Sequence, residues 1–320
     1  MHALAALLLG WTLGANDAAN CFGAAVSARM VRWRTAALLI AAFALLGALC
    51  DGHRGLANLA TIAGPDSDAG LCAMLAAALT LIVFTAAGMP VSVSHAVGGA
   101  LAGVKIASAQ SQTWYLTAAP WPELRGILLC WLTTPFGAMC LALLLYPLLA
   151  LLVRTARFHF LTYDALMRGL LVLAGAYAAY ALGANNVANV TALPYAAGIF
   201  GLPGSETARL AALALGAAAI GLGAITYSRK VMYTVGSGLV PLDAFSAFVS
   251  ILAAAAAVHI YACLGVPVST SHAVVGAVLG IGLLHGLHTV SSRTLAWVVL
   301  GWLCTPAASG MLGWWIWRVL

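Results

Sequence analysis

Charge is what this chain has least of. Only 7% of its 320 residues are Asp, Glu, Lys or Arg, and just 8 are acidic; an ordinary soluble chain carries roughly 25% charged residues. Hydrophobic residues make up 63%, and mean hydropathy is +1.02. So little polar surface excludes a soluble globular domain and leaves an all-α chain that crosses a lipid bilayer many times. Its 33 Gly and 11 Pro suit that setting, because membrane helices tolerate both better than soluble ones do. The basic excess, 14 Lys and Arg against 8 Asp and Glu, does not make a nucleic-acid binder. The cations are scattered over short loops instead of gathered on one face. Paired cysteines are lacking too. Cys21, Cys50, Cys72, Cys130, Cys140, Cys263 and Cys304 are odd in number, contain no CxxC and sit mostly in apolar runs, so they read as packing residues. The apolar run Ala3–Leu13 has no basic stretch before it and a similar segment recurs mid-chain, so it reads as structure and not as a cleaved signal.

What the chain does have is an internal repeat. Leu13–Asn20 reads LGANDAAN and Leu182–Asn189 reads LGANNVAN, six of eight identical at an offset of 169. Pro90–Gly103 (PVSVSHAVGGALAG) and Pro267–Gly280 (PVSTSHAVVGAVLG) share ten of fourteen at an offset of 177. A weaker echo pairs Trp131–Pro135 (WLTTP) with Trp302–Pro306 (WLCTP) at 171. Three matches in one order divide the chain into two repeats, 1–160 and 161–320. Apolar spans fall near 3–28, 35–50, 71–106, 123–153, 167–200, 207–227, 244–287 and 294–318. Two of them, 71–106 and 244–287, are too long for one crossing of about 20 residues. Each is interrupted before its PVS motif, so each is expected to be a helical hairpin that crosses twice or turns back inside the membrane.

Three single crossings plus one pair give each half an odd total, which turns the second half upside down. The basic residues agree. With both termini outside a plasma membrane, the inside loops hold Arg29, Arg32, Arg34, Arg154, Arg157, Arg168, Arg229, Lys230 and Arg293, nine of the fourteen, while Asp51, Asp66, Asp68 and Glu206 fall outside. Inverted-topology repeats are the architecture of secondary transporters, which bind substrate near the midplane between the halves.

The first repeated motif puts Asn16, Asp17 and Asn20, then Asn185, Asn186 and Asn189, in the middle of two spans. Gly and Asn are poor helix formers, so both helices are expected to break there, adding freed carbonyls to the amide oxygens. That suits a cation or substrate site; hydrogen bonding between helices is the plainer alternative. Asp17 is the sharpest residue, the one acid read as buried mid-span, with no Lys or Arg in either motif to pair with it. A mobile cation, Na⁺ or H⁺, remains as its partner, and Asp17 is the candidate sodium ligand.

In the second motif Pro90 or Pro267 ends the incoming segment, and Ser92 or Ser269 is placed to cap a new short helix. A helix N-terminus at membrane depth presents free N–H groups to an oxyanion. Ser92, Ser94, Ser269, Thr270 and Ser271 add five hydroxyls around Val93, and two hairpins arriving from opposite sides would clasp one anion. Ordinary back-bonding of Ser and Thr to helix carbonyls is the alternative. His95 and His272 follow in both copies, for proton transfer or for support of the helix break.

These segments, GANDAANCFGAAVS, GANNVAN and the two PVSxSHAVxGAxxG runs, resemble the PiT family of inorganic phosphate transporters over nearly the whole chain. The resemblance implies two re-entrant hairpins and cation-coupled import of phosphate. By motif, Asn16, Asp17, Asn20, Asn185, Asn186 and Asn189 would form the cation side. Ser92, Ser94, Ser269, Thr270 and Ser271, with the intervening Val93 and the following His95 and His272, would form the phosphate side. The chain departs from the family pattern where Asn186, Ala44 and Ile251 stand for acids and where Val93 replaces a hydroxyl. Those departures leave the coupling ion open between Na⁺ and H⁺. Sulfate, carried by some relatives of that family, is the alternative substrate: it lacks the P–OH donors that a bare Asp17 carboxylate accepts, so a bare Asp17 favours phosphate and a cation over Asp17 removes that discrimination. A passive anion channel would need a continuous polar path, and the polar residues cluster instead. The His, Cys and Ser spacing offers no metal set or triad, so the chain reads as no enzyme and needs no cofactor beyond the coupling ion. Phosphate, that cation, the bilayer and a second copy of the chain are the expected partners.

Overall fold

The computed structural model describes residues 1–63, 66–87, 91–108, 121–156, 159–235, 242–286 and 290–320. Among them are helices and no strands: α1 His2–Ser27, α2 Trp33–Ala63, α3 Ser67–Ala86, α4 Val93–Ser108, α5 Trp121–Thr155, α6 Phe160–Ala196, α7 Glu206–Thr226, α8 Ser228–Val235, α9 Ala244–Cys263, α10 Thr270–His285 and α11 Ser292–Val319. Seven of these, α2, α3, α5, α6, α7, α9 and α11, are long and apolar enough to cross a bilayer. At 26 residues α1 has the length, but its polar motif lowers its hydropathy. Large apolar side chains point outward, among them Leu144 (64% exposed), Leu173 (68%) and Leu303 (68%). A surface of that kind belongs in lipid. The inside is small: Ala and Gly line the helix contacts, and the polar motifs are buried among them. This is a multi-pass, all-helical membrane protein.

Both long apolar stretches break where expected, α3 giving way to α4 and α9 to α10. Ser92 Oγ accepts from His95 N and Ser269 Oγ from His272 N, both at 3.3 Å, the N-cap bonds that start α4 and α10. Pro90, expected to end the first incoming segment, lies outside the described residues, as does Arg157.

Corresponding helices of the two halves find corresponding partners in the other half, beside contacts within each half such as α6 with α9 and α3 with α4. Helix α1 lies on α7 as α6 lies on α2; α4 lies on α11 as α10 lies on α5; α3 meets α11 as α9 meets α5. Glycines set the closest of these crossings. A Cβ on Gly14 would fall on the Ile220 backbone of α7, and one on Gly183 on the Ala44 backbone of α2. Gly99 meets Pro306 of α11 and Gly276 meets Pro135 of α5 in the same way. With no Cβ in between, backbones approach directly and dispersion contacts hold the bundle where lipid offers no hydrophobic drive.

Two expectations are corrected. Helices α1 and α6 run unbroken through Asn16–Asn20 and Asn185–Asn189. The weak propensity of Gly and Asn, about 0.5–1 kcal/mol per residue, is outweighed because Gly14 and Gly183 are needed for close packing and the Asn amides bond to other elements. And α2 does not end near residue 50: it continues to Ala63, so Asp51 lies within a helix and not in a loop. The short helix α8, which carries Arg229 and Lys230 and packs on α1, was not anticipated.

Candidate functional site

The Asn motifs of α1 and α6 face the starts of α4 and α10. Asn16 Nδ2 donates to the Val91 carbonyl at 3.1 Å, and Asn185 Nδ2 to the Val268 carbonyl at 2.7 Å. Each is the carbonyl of the residue before a capping serine, so each motif fastens the tip of one hairpin. Val268 N returns a bond to Asn185 Oδ1 at 3.0 Å. The segments left without their own helix bonds, the last residues before α4 and α10, are thus satisfied by side chains, as burial in a membrane requires.

Asp17 sits at the centre of the first cluster. Its Oδ1 accepts from Asn16 Nδ2 at 2.9 Å and Asn20 Nδ2 at 3.3 Å. Its Oδ2 accepts from Thr270 Oγ1 at 2.8 Å, and that hydroxyl also accepts from Asn20 Nδ2 at 3.2 Å. A first-half carboxylate is therefore held by a second-half hairpin. The second cluster repeats this with weaker chemistry. Asn189 Nδ2 donates to Asn186 Oδ1 at 2.9 Å and to Ser94 Oγ at 3.2 Å, and Ser94 donates to the Val268 carbonyl at 3.3 Å. Asn186 stands in the place of Asp17, and Val93 in the place of Thr270. With no oxygen at Val93, Asn186 Nδ2 finds no protein acceptor although it is buried. Ser269 and Ser271 bond each other at 2.9 Å. Asp17 is 2% exposed, Asn186 1% and Ser94 6%, so the two clusters form one sealed polar centre in an apolar bundle. A small cavity of about 20 Å³ touches it at Asn20 and Thr270, room for one water or one small ion. Ala44 and Ile251, where the family pattern has acids, are buried apolar residues. Asp17 is the carboxylate of this centre.

His95 and His272 do not join that bonding. His95 Nδ1 lies 3.1 Å from the Trp302 carbonyl and His272 Nδ1 2.9 Å from the Trp131 carbonyl, again with the halves exchanged. The two imidazoles meet edge to face at 4.6 Å, and each lies against a tryptophan ring, Trp131 for His95 and Trp302 for His272. They lock α4 and α10 to α11 and α5. The tryptophans were assigned no role from sequence, although their WLTTP and WLCTP echo was the available signal.

A buried polar centre where helices of both halves meet, inside a helical bundle with a lipid-facing surface, is the arrangement of a membrane transporter. The comparisons name its kind. The profile of the phosphate transporter family matches residues 13–313, and the chain belongs to that family. A Pyrococcus furiosus protein described as a candidate phosphate permease is 27% identical over 99% of this chain and 96% of its own. One from Methanocaldococcus jannaschii, described likewise, is 28% identical over 96% and 93%. The fold matches that of a solved sodium-dependent phosphate transporter with a TM-score of 0.87, at 24% identity and over 99% of this chain and 97% of that one.

Proposed function

We propose that the protein imports inorganic phosphate by symport with a cation, Na⁺ in the first place, by alternating access around the Asp17 centre. The observation that carries this reading is the bond from Thr270 to Asp17, which joins the cation-side motif of one half to the anion-side hairpin of the other. A cation bound at Asp17 would neutralise charge beside the hydroxyls and free N–H groups of α4 and α10, where an anion would otherwise be held without Lys or Arg. Carboxylate, hydroxyl and amide oxygens suit a hard monovalent ion. Asn16 and Asn20 turn Nδ2 toward Asp17; a cation there requires their Oδ1, which a half-turn of each amide supplies. The residues of 1–160 and 161–320 act as inverted repeats in this scheme, α3–α4 and α9–α10 as re-entrant hairpins, and both chain termini face outward from the plasma membrane. The exchange of packing partners between the halves supports the repeat. The burial of Asp17 and the serines supports alternation, since substrate reaches them only when the bundle opens to one side.

Radiolabelled phosphate uptake into proteoliposomes tests this directly, with Na⁺ and proton gradients imposed separately and excess sulfate as competitor. Uptake driven by the Na⁺ gradient and indifferent to sulfate is expected. Uptake driven by protons alone would replace the ion, competition with transport of sulfate would replace the substrate, and flux with no coupling to either gradient would replace the symporter with a channel.

A further inference from the structure

Asp51 is the other carboxylate deep within a helix, and its neighbours are of a different kind. It faces His259 and Cys263, which lie one turn apart on a single face of α9, and the carboxylate oxygen, imidazole nitrogen and sulfur all fall within 4.8 Å of one another. His259 Nε2 is 3.3 Å from Asp51 Oδ2. A tetrahedral zinc ion with bonds of about 2.0–2.2 Å holds a nitrogen and an oxygen ligand about 3.3 Å apart, so this edge already has the required length. The other ring nitrogen, Nδ1, lies 3.0 Å from the Tyr177 hydroxyl. An ion at Nε2 takes the place of the proton that Nε2 donates to Asp51, and the ring proton on Nδ1 is then accepted by the Tyr177 hydroxyl, the outer support that metal-bound histidines use. The Tyr180 hydroxyl donates to the Asp51 carboxylate and orients it similarly. Cys263 is exposed and free of any disulfide.

We infer that Asp51, His259 and Cys263 form a binding site for a thiophilic divalent ion of the zinc class, with its fourth position open to water. On binding, the Cys263 thiol gives its proton to solvent, and thiolate plus carboxylate balance the charge of the ion. Sulfur and imidazole ligands select against Na⁺, Mg²⁺ and Ca²⁺, which take oxygen. Arg54 lies on this face, where its Nη1 donates to the Cys263 carbonyl at 2.9 Å. Asn58 Nδ2 bonds the Gly265 carbonyl at 2.9 Å, so α2 already grips the end of α9 a few residues before Val268 and Thr270. An ion fastened across α2 and α9 pins the second hairpin to a first-half helix. Resting on the transport reading above, that clamp arrests uptake; the binding site itself does not depend on that reading.

Titration of the purified full-length protein with Co²⁺ tests the site. One Co²⁺ per chain is expected, with a thiolate-to-cobalt charge-transfer band and strong tetrahedral ligand-field bands, both bleached by Zn²⁺. Cys263→Ser should abolish the charge-transfer band, and Cys263→Ser or His259→Gln should raise the Kd roughly tenfold or more. Cys50→Ser removes an exposed thiol next to Asp51 in sequence and should change neither. A cobalt spectrum without the thiolate band, or binding that neither variant weakens, overturns the site. In proteoliposomes Zn²⁺ should inhibit phosphate uptake by the parent chain and spare the Cys263→Ser variant. Uptake that ignores Zn²⁺ at concentrations filling the cobalt-defined site removes the clamp, whereas no uptake in the parent chain at all counts against the transport reading and leaves the titration unaffected.

Discussion

Thr270→Val exchanges a hydroxyl for a methyl of the same shape at the point where the halves meet around Asp17. The hydroxyl donates to Asp17 Oδ2 at 2.8 Å and accepts from Asn20 Nδ2 at 3.2 Å. Asp17 is 2% exposed, so bulk water does not reach the lost donor's place without opening the bundle, and the cavity beside Asn20 and Thr270 has room for a single water at most. Two magnitudes compete. A hydrogen bond to an ionised carboxylate contributes about 1.5–3 kcal/mol, whereas polar pairs in membrane bundles average about 0.6 kcal/mol. A double-mutant cycle with Asp17→Asn separates them, because the chain already contains the doubly altered arrangement: Asn186 and Val93 hold the equivalent places in the other half. Thr270→Val and Asp17→Asn should each destabilise, and the double variant should recover much of the loss. A coupling of about 2 kcal/mol or more is expected for an ionised Asp17. The readout is the unfolding midpoint in mixed micelles for all four chains. Additivity within about 0.3–0.5 kcal/mol would refute the pairing, and a coupling near 0.6 kcal/mol would mean that Asp17 is protonated in this state.

Gly14→Ala should destabilise by about 1–3 kcal/mol, because its Cβ falls on the Ile220 backbone, which cannot turn aside as a side chain can. Gly137→Ala points into open space and should be neutral or stabilising by up to about 1 kcal/mol; equal thermal shifts for the two would sink the close-approach argument. Arg32 is exposed in the turn between α1 and α2. Arg32→Cys, in a chain otherwise free of accessible thiols, should react with an impermeant maleimide from the cytoplasmic side alone, and labelling from outside would reverse the topology.

The residues that announced themselves in sequence were those with a local job. Ser92 and Ser269 begin helices by capping them, and a cap is set by its own few neighbours, so the hairpin breaks at α3–α4 and α9–α10 were legible. The supposed break at Asn16–Asn20 was not, because there the outcome rests on distant partners: the Ile220 backbone that accepts Gly14, and the Val91 carbonyl that takes the Asn16 amide. Local propensity cannot see either. Asp51 was misplaced for a related reason. The run His53, Arg54, Asn58 lowers the hydropathy beyond residue 50 and looks like a loop, yet Arg54 and Asn58 are polar because they hold the end of α9. An offset near 170 marks recurring motifs but is silent on which helices of one half pack against those of the other. For His95 and His272 the deciding contacts are the Trp302 and Trp131 carbonyls, backbone groups that leave no mark on the residues' own motif.

The departures from the family pattern look scattered in sequence, but two of them, Asn186 and Val93, hold the places that Asp17 and Thr270 hold in the first cluster. An aspartate at position 186 beside Val93 would lack the hydroxyl that Asp17 receives from Thr270, leaving a buried carboxylate short of a donor, a fault that costs about 1–3 kcal/mol or more. Asn186 removes the charge that would need that hydroxyl. In the second cluster Asn186 and Val93 are therefore chemically compatible with each other, and the cluster fastens the hairpin through Asn185 and Val268. The polar centre retains a two-fold scaffold while its charge lies on one side only. On the symport reading that confines carboxylate neutralisation to the Asp17 side, where one negative charge balances one monovalent cation, and leaves the Asn186 amide, with its N–H free of protein acceptors, as a neutral donor facing the anion's side of the exchange.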